Sequence, residues 1–263
     1  MPFLKRTAFP SAMQAVLLFA ALLLCEFIAG AALRDANGLL GLDDLQIGVL
    51  STVMGNGFVF VVVMNFQKLT YRRLFHRSRN SARATLMFVV PPTLLLVPAL
   101  LLTITAVVNL MVRVVPPSAW EESLFSRLAD GSIAAMLAVC VVAPVLEEML
   151  FRGIVLRGFL RRYSRSQAMV MSALLFGAAH LNIYQFVVGF VLGMVLAWLY
   201  ERTHSLIPCI ALHATYNGTT LLLGDRLGVA PPSRLVWAIV AASAAAVCGL
   251  LALRAVLVPR ATS

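Results

Sequence analysis

The stretch APVLEEMLFRG, Ala143–Gly153, places two adjacent glutamates and an arginine inside an apolar run. From Ile133 to Phe151, Glu147 and Glu148 are the only charged residues. A charged side chain at the centre of a membrane helix costs about 2.5–3.5 kcal/mol on insertion scales. A pair of glutamates at this position therefore indicates a functional site or a buried ion pair.

The composition is that of an integral membrane protein. Of the 263 residues, 61% are hydrophobic and 12% are charged, whereas soluble domains are roughly 45–50% apolar. A helix that crosses a bilayer needs about 20 mostly apolar residues. The sequence predicts an all-α transmembrane helical bundle that forms one domain over residues 1–263. Its eight predicted spans are 12–33, 47–66, 86–112, 133–157, 167–182, 183–200, 205–223 and 235–257.

The net charge of +10 is interpreted as membrane topology and not as nucleic-acid binding. Lysine and arginine are concentrated in the segments 67–85 and 152–165, and the alternate loops are poorer in basic residues and more acidic. The positive-inside rule then predicts a multi-pass protein of the cell inner membrane with both termini cytoplasmic. The first span resembles a signal peptide, but its length and the spans that follow predict an uncleaved anchor.

Helical spacing predicts different roles for the two glutamates. Glu148 and Arg152 are four residues apart, so they can meet on one face of a helix. Glu147 is turned about 100° away from Glu148. Arg152 can therefore neutralise and orient Glu148 and leave Glu147 free. The alternative is an ion pair at the cytoplasmic helix end that snorkels to the headgroups.

Two histidines and an asparagine lie in later apolar spans. His180 is in the fifth span, and His213 begins HATYN in the seventh, where Asn217 shares its helical face. At a rise of about 1.5 Å per residue, Glu147 and His180 lie roughly 21 Å from the cytoplasmic boundary and His213 roughly 14 Å. The sequence therefore predicts that these side chains meet at one level of the membrane.

The remaining histidines and the cysteines are given no chemical role. His76 and His204 lie in predicted cytoplasmic loops, where we expect them to be solvated. The cysteines each lie in an apolar span and are predicted to be small buried hydrophobic residues. They are Cys25, Cys140, Cys209 and Cys248.

Glutamate, two histidines and an amide inside a membrane can hydrolyse an amide bond in two ways. A carboxylate and an imidazole can jointly deprotonate a water molecule, while the second imidazole and the amide donate to an oxyanion. Alternatively, Glu147, His180 and His213 could bind one zinc ion that activates the water. These residues alone leave both schemes open.

Three motifs resemble those of the CPBP family, the CAAX proteases and bacteriocin-processing enzymes of the Abi type. The motifs follow one another in successive apolar spans of a core at about residues 130–223. They are Glu147-Glu148-x-x-x-Arg152, Phe176-x-x-x-His180 and His213-x-x-x-Asn217.

This resemblance implies a helical intramembrane fold with a catalytic cavity open toward the cytoplasm. By analogy, Glu147 and His180 activate the water, and His213 and Asn217 stabilise the oxyanion. The Glu148–Arg152 pair supports the site. The set lacks a compact zinc-ligand spacing such as H-E-x-x-H, which favours a metal-free mechanism over zinc.

The predicted function is that of an intramembrane endopeptidase that cleaves a membrane-tethered peptide or protein, as in CAAX processing or the processing of C-terminal sorting tails. The predicted partners are this substrate and the lipid bilayer. One alternative is a catalytically idle family member that acts as an immunity protein or chaperone. Another is a proton-coupled transporter, against which the sequence shows no repeated pair of broken helices.

Overall fold

The computed structural model describes residues 9–128, 132–227 and 232–257, and the chain in these ranges is helical without a β-strand. The prediction of an all-α bundle is confirmed. The eight longest helices in these ranges are α1 (Ala12–Asp35), α2 (Asp44–Gln67), α3 (Val90–Val114), α4 (Ile133–Phe159), α5 (Arg165–Ala178), α6 (Ile183–Thr203), α7 (Ile207–Leu227) and α8 (Pro232–Leu257). Shorter helices cover Asn37–Leu40, Tyr71–Phe75, Ala82–Phe88 and Ala119–Leu128.

By helix length and hydropathy, the described part of the chain has six candidate spans and not the predicted eight. Within the described ranges, six helices are long and apolar enough to cross a membrane, namely α1, α2, α3, α4, α6 and α8. The predicted spans 167–182 and 205–223 correspond to α5 and α7. With 14 residues, α5 is about 21 Å long, which is shorter than a hydrocarbon core of about 30 Å. Polar residues such as His213 and Asn217 lower the hydropathy of α7.

Local sequence signals set where several helices begin. Ser11, Asp43 and Ser164 each cap a helix, and each is followed three residues later by a glutamine that completes a capping box. Such a box satisfies two backbone N–H groups that the first turn leaves unpaired. Ser164 therefore begins α5, which ends at Ala178, before the end of the predicted fifth span.

Small residues let neighbouring helices approach closely, as is common inside membranes. In the α1–α2 pair, a Cβ atom at Gly55 would lie 2.5 Å from Cγ of Glu26. In the α5–α6 pair, a Cβ atom at Gly177 would lie 2.6 Å from the carbonyl oxygen of Phe186. These contacts set how closely α2 approaches α1 and how closely α6 approaches α5.

Helix α4 departs from regular α-helix on both sides of those glutamates. Residues Ala138–Val142 and Met149–Leu156 form π-helical turns, and Ala143–Glu148 between them is α-helical. Pro144 has no N–H to donate, which disfavours a regular ladder here. π-turns are frequent at functional sites, and the apolar pattern of α4 gave no sign of them.

Contacts between connecting segments define the two ends of the bundle, which we call the first face and the second face. At the first face, the backbone N–H of Ala12 donates to the hydroxyl of Tyr163 at 3.1 Å. At the second face, the side-chain amide of Asn182 donates to Oε1 of Glu121 at 2.6 Å. The hydroxyl of Tyr184 donates there to the carbonyl of Val115.

His76 belongs to the first face, and its predicted solvation is wrong. It forms an isolated β-bridge with Ser205, and its Nδ1 lies 2.9 Å from Oγ of that serine. Its Nε2 lies 2.7 Å from the carbonyl of Asn80. The imidazole therefore ties the segment after α2 to the α6–α7 connection, while His204 is exposed as predicted.

The cysteines are free thiols that differ in burial. Cys209 is buried, and Cys25 and Cys140 are partly buried. Cys248 is exposed on α8, so the prediction that it is buried in the bundle is wrong.

Candidate active site

A buried chain of polar groups, formed by Arg152, Glu148 and His213, crosses the centre of the site. Nη1 of Arg152 donates to Oε1 of Glu148 at 2.9 Å, and neither side chain is exposed. The same Glu148 oxygen lies 2.9 Å from Nδ1 of His213. The second Nη of Arg152 donates to the carbonyl of Gly193 on α6 at 3.2 Å. The complete burial of the pair excludes the alternative of a snorkelling ion pair.

The aromatic ring of Phe176 contacts three members of the site. Cζ of Arg152 lies 4.3 Å from the ring centroid, a cation–π contact. The rings of His180 and His213 meet it edge-on, with centroids 5.5 Å and 5.6 Å away. Phe151 packs against it in the same manner at 5.1 Å. The first residue of the Phe176-x-x-x-His180 motif is therefore the apolar centre around which the polar groups are arranged.

Glu147 differs from its neighbour as the spacing predicted. Its side chain is 29% exposed, against 0% for Glu148. Its Oε2 lies 3.7 Å from Nε2 of His213, which is beyond hydrogen-bond distance. Glu147 therefore lies near the imidazole of His213 without a hydrogen bond to it, and its carboxylate is free to bind water or substrate.

The free carboxylate faces a cavity of about 180 Å³. The cavity lies between α1 and α2 on one side and α4 and the end of α5 on the other. Its polar lining consists of Glu26, Thr52, Asn56, Glu147 and His180.

Glu26 and Asn56 of this cavity are absent from the sequence-based set. A signal for Glu26 was present, because it is the only charged residue between Ala12 and Leu33. The reasoning that singled out the paired glutamates applies equally to this isolated one.

His180 lies in a turn just beyond α5 and not within a helix as predicted. The turn includes Leu181, which has a positive φ of 52°. Nδ1 of His180 lies 3.1 Å from the carbonyl of Phe176. Because a carbonyl can only accept, this bond assigns the proton to Nδ1 and leaves Nε2 of the neutral ring as an acceptor.

His213 is oriented by a carboxylate in the same way. Glu148 accepts from Nδ1 of His213, so Nε2 is directed toward Glu147. Asn217, one turn later on α7, donates from Nδ2 to the carbonyl of Val139 at 2.9 Å. This bond joins α7 to the first π-turn of α4, and the oxyanion role of Asn217 stays a prediction.

The histidine and carboxylate side chains at the site are donor types that suit zinc, but they are not placed around one common point. Metal-bound histidines usually donate their second N–H to a carboxylate or carbonyl, and both His180 and His213 have such an acceptor. Within the described ranges, no three His, Cys, Asp or Glu side chains converge closely enough to hold a metal ion.

A second, strongly basic pocket of about 520 Å³ lies at the first face. It is lined by residues of the segment after α2 and of the last turns of α4. Its cationic residues are Lys68, Arg73, Arg77, Arg157 and Arg161. A pocket with this charge can attract a carboxylate or a phosphate.

The fold and the buried cluster define a multi-pass membrane protein with a carboxylate–imidazole site inside its helical bundle. Residues 129–219 match the family model described as type II CAAX prenyl endopeptidase Rce1-like. The match covers about a third of the chain, at nearly the same residues as the predicted core at 130–223, and over this part the chain is similar to a peptidase family. No significant match was found among curated proteins or among solved structures.

Proposed function

We propose that this protein is an intramembrane endopeptidase that cleaves a membrane-tethered peptide or protein with a water molecule activated by Glu147. One observation carries the proposal: Glu147 is a partly exposed carboxylate that lines the same cavity as His180. Directly beside it, Glu148 is consumed by a buried network with Arg152 and His213. A general base needs a carboxylate that can reach the water molecule. Glu147 has such a carboxylate, and the Glu148 network holds the neighbouring side chains in place.

Glu147 accepts a proton from the cavity water as the water oxygen attacks the scissile carbonyl carbon. A carbon–oxygen bond forms, and the electrons of the carbonyl π bond move to its oxygen. When the tetrahedral intermediate collapses, the carbon–nitrogen bond breaks and the leaving amine takes a proton from Glu147. His180 supports the first step, because its Nε2 is left as an acceptor by the bond from Nδ1 to Phe176.

His213 and Asn217 are proposed to stabilise the oxyanion, as the family resemblance implies. Glu148 orients the imidazole of His213 through its bond to Nδ1, much as a buried aspartate orients the histidine of a catalytic triad. A protonated ring presents an Nε2–H donor on the side that faces Glu147. One N–H of the Asn217 amide is used by Val139, and the amide group has a second.

If zinc is bound, Glu147, His180 and His213 would hold it, and it would polarise the attacking water as a Lewis acid. We propose instead that water is activated without zinc, since these side chains do not converge on one point. Metal analysis of the purified protein tests this. About one zinc per chain that is lost together with activity in His180→Ala and His213→Ala would replace this scheme by the zinc scheme.

The substrate is proposed to reach the site from the first face, which we assign to the cytoplasmic side of the inner membrane. The basic pocket at this face would bind a C-terminal carboxylate or acidic flanking residues of the substrate. The family description names prenyl endopeptidases, so a lipid-modified C-terminal segment is the proposed substrate class. The alternative for the arginines is a role in topology alone.

The decisive experiment compares Glu147→Gln with Glu122→Gln in protein reconstituted into liposomes. The substrates are a farnesylated peptide that ends in Cys-aliphatic-aliphatic-X and the same peptide carrying an acyl anchor. Removal of a general base lowers turnover by roughly 10²–10⁴-fold, whereas Glu122 is exposed outside the site and its variant should cleave normally. Equal cleavage by both variants would remove Glu147 from the mechanism, and cleavage by neither wild type nor variant would favour an idle family member.

A further inference from the structure

Glu26 is a carboxylic acid in the middle of a membrane helix with no assigned role. It is the only charged residue of α1 before Arg34. It also lies outside residues 129–219, so the family match does not include it. Because an unpaired carboxylate in hydrocarbon is costly, its surroundings should show what stabilises it.

Asn56 on α2 holds the Glu26 side chain in place. Nδ2 of Asn56 donates to Oε1 of Glu26 at 2.8 Å and to the carbonyl of Thr52 at 3.0 Å. Asn56 is only 5% exposed. The adjacent Gly55 provides the room, because a Cβ atom there would lie 2.5 Å from Cγ of Glu26. The carboxylate is thus oriented by a buried donor on the neighbouring helix.

The held carboxylate lines the same cavity as Glu147 and His180. A cavity of about 180 Å³ exceeds the roughly 30 Å³ that one water molecule occupies in the liquid. A buried water typically has 2–4 polar partners, and this cavity offers that number on two opposite walls.

We infer that Glu26, positioned by Asn56, is a further catalytic residue that orients the water molecule deprotonated by Glu147. The inference rests on the proposed peptidase function. The water donates one hydrogen bond to each carboxylate, which directs an oxygen lone pair toward the scissile carbonyl. Glu147 takes the proton as the bond to carbon forms, and Glu26 is unchanged by the step.

The kinetic test uses Glu26→Gln. The matched control is Phe27→Leu in the same helical turn, where the Phe27 side chain is 74% exposed. The glutamine keeps an oxygen for Asn56 but loses the carboxylate. We expect kcat to fall by about 10- to 100-fold, as for a misplaced reacting group, with KM and the thermal unfolding midpoint unchanged. If Glu26 only ties α1 to α2, Glu26→Gln will keep the wild-type kcat and Glu26→Leu will lower the thermal midpoint.

Two comparisons of variants separate this inference from the proposed function. Glu26→Asp should restore part of the kcat lost in Glu26→Leu. Wild-type kcat in Glu26→Gln together with an inactive Glu147→Gln would overturn the role of Glu26 and leave the peptidase proposal in place.

An assay that needs no cleavage tests whether position 26 faces water. In a background without the four native cysteines, Glu26→Cys should react with a small hydrophilic methanethiosulfonate reagent in membranes. Phe27→Cys, which faces the lipid, should react at least several-fold more slowly. Equal or slower reaction at position 26 would show that the cavity is dry there and would overturn the inference even if no test peptide is cleaved.

Discussion

Glu148 is expected to contribute strongly to stability, because it is the buried acceptor of two neighbouring side chains. Its Oε1 accepts from Arg152 and His213, and all three side chains are buried. Glu148→Gln leaves the Arg152 charge without a partner, and breaking a buried pair costs about 3–5 kcal/mol. We expect a marked fall in the thermal unfolding midpoint of the detergent-solubilised protein.

The matched control for this prediction is an exposed ion pair in the same chain. Nε of Arg165 lies 3.2 Å from Glu201; the arginine side chain is 75% exposed, and the glutamate, which is 11% exposed, keeps Arg202 as a second partner. Arg165→Gln should cost less than about 1 kcal/mol, as exposed pairs do. Equal destabilisation by the two variants would contradict the assignment of Glu148 as the structural member of the glutamate pair.

Phe176 gives a second prediction at the scale of single residues. Its ring contacts Arg152, His180 and His213, and contacts of these kinds contribute about 0.5–1.5 kcal/mol each. Phe176→Leu should lower kcat about tenfold, because both imidazoles lose the surface that fixes their ring planes. Phe58→Leu, at a ring that is 63% exposed on α2, should leave kcat within twofold. A normal kcat in Phe176→Leu would show that the backbone alone orients the histidines.

Spacing along one helix made the Glu148–Arg152 contact predictable, since four residues bring two side chains to the same face. The meeting of His213 with both glutamates joins two helices, α4 and α7, and only a depth estimate indicated it. Glu26 and Asn56 were missed because an isolated polar residue has no partner at helical spacing. Their bond links residues 30 positions apart, which no local pattern encodes.

At the scale of helices, the α5–α6 crossing determines where His180 lies. Gly177 precedes the His180 turn, and a Cβ atom there would clash with the Phe186 carbonyl at 2.6 Å. Gly177→Ala should destabilise the protein by about 1–3 kcal/mol, as overpacked cores do, and should reduce cleavage by moving His180. In contrast, Gly57→Ala on α2 meets no atom within 4 Å and should be neutral or stabilising by about 0.5–1 kcal/mol. Unfolding curves and cleavage rates of the two variants provide the comparison.

The helix Ala119–Leu128 should respond to acid through Glu121. Hydrogen bonds from the backbone and side chain of Ser118 lower the pKa of Glu121, and Asn182 adds a third bond. A lowered pKa means that the ionised carboxylate stabilises this contact above its ordinary pKa of 4.5. The stabilisation is lost as pH falls through the lower folded-state value.

Amide hydrogen exchange near residues 118–122 measures this response. Exchange should accelerate on acidification in wild type, after correction for the intrinsic pH dependence of exchange. Glu121→Gln should abolish that dependence, and Glu122→Gln should retain it. A wild-type profile in Glu121→Gln would show that another group controls the second face.

Hydropathy correctly located six of the helices but not the number of spans. It counts apolar residues, and α5 and α7 are the two helices for which that count fails. One is too short, and the other carries His213 and Asn217 toward the site. The sequence predicted a longer span at α5 because the apolar run continues through the turn after Ala178. A positive φ at Leu181 breaks the helix in that turn.

At the scale of the whole molecule, the site is assembled from two parts of the chain. The segment that matches the family model, residues 129–219, supplies Glu147, His180 and His213, while α1 and α2 close the opposite wall of the cavity. Phe9 and Pro10 also pack against Gly158 at the end of α4, where a Cβ atom would lie 2.2 Å from Pro10 Cδ. The N-terminal helices are therefore part of the candidate active site and not only a membrane anchor.

The assignment of the first face to the cytoplasm is tested by labelling introduced cysteines in a background without the native ones. The ends of α1, α4 and α6 are joined at this face by Tyr163 and by the His76–Ser205 bridge. The basic segment after α2 lies at the same face, and the positive-inside rule places such segments inside. The termini themselves, residues 1–8 and 258–263, lie outside the described residues, so the labelled positions are internal.

The experiment uses two positions. Arg79→Cys lies in the basic segment, and Leu39→Cys lies between α1 and α2 at a side chain that is 95% exposed. A membrane-impermeant maleimide added to intact cells should label position 39 and should reach position 79 only after the cells are opened. The reverse pattern would place the basic pocket outside the cell and would overturn access from the cytoplasm, whereas the assignment of Glu147 as the base depends only on contacts within the bundle.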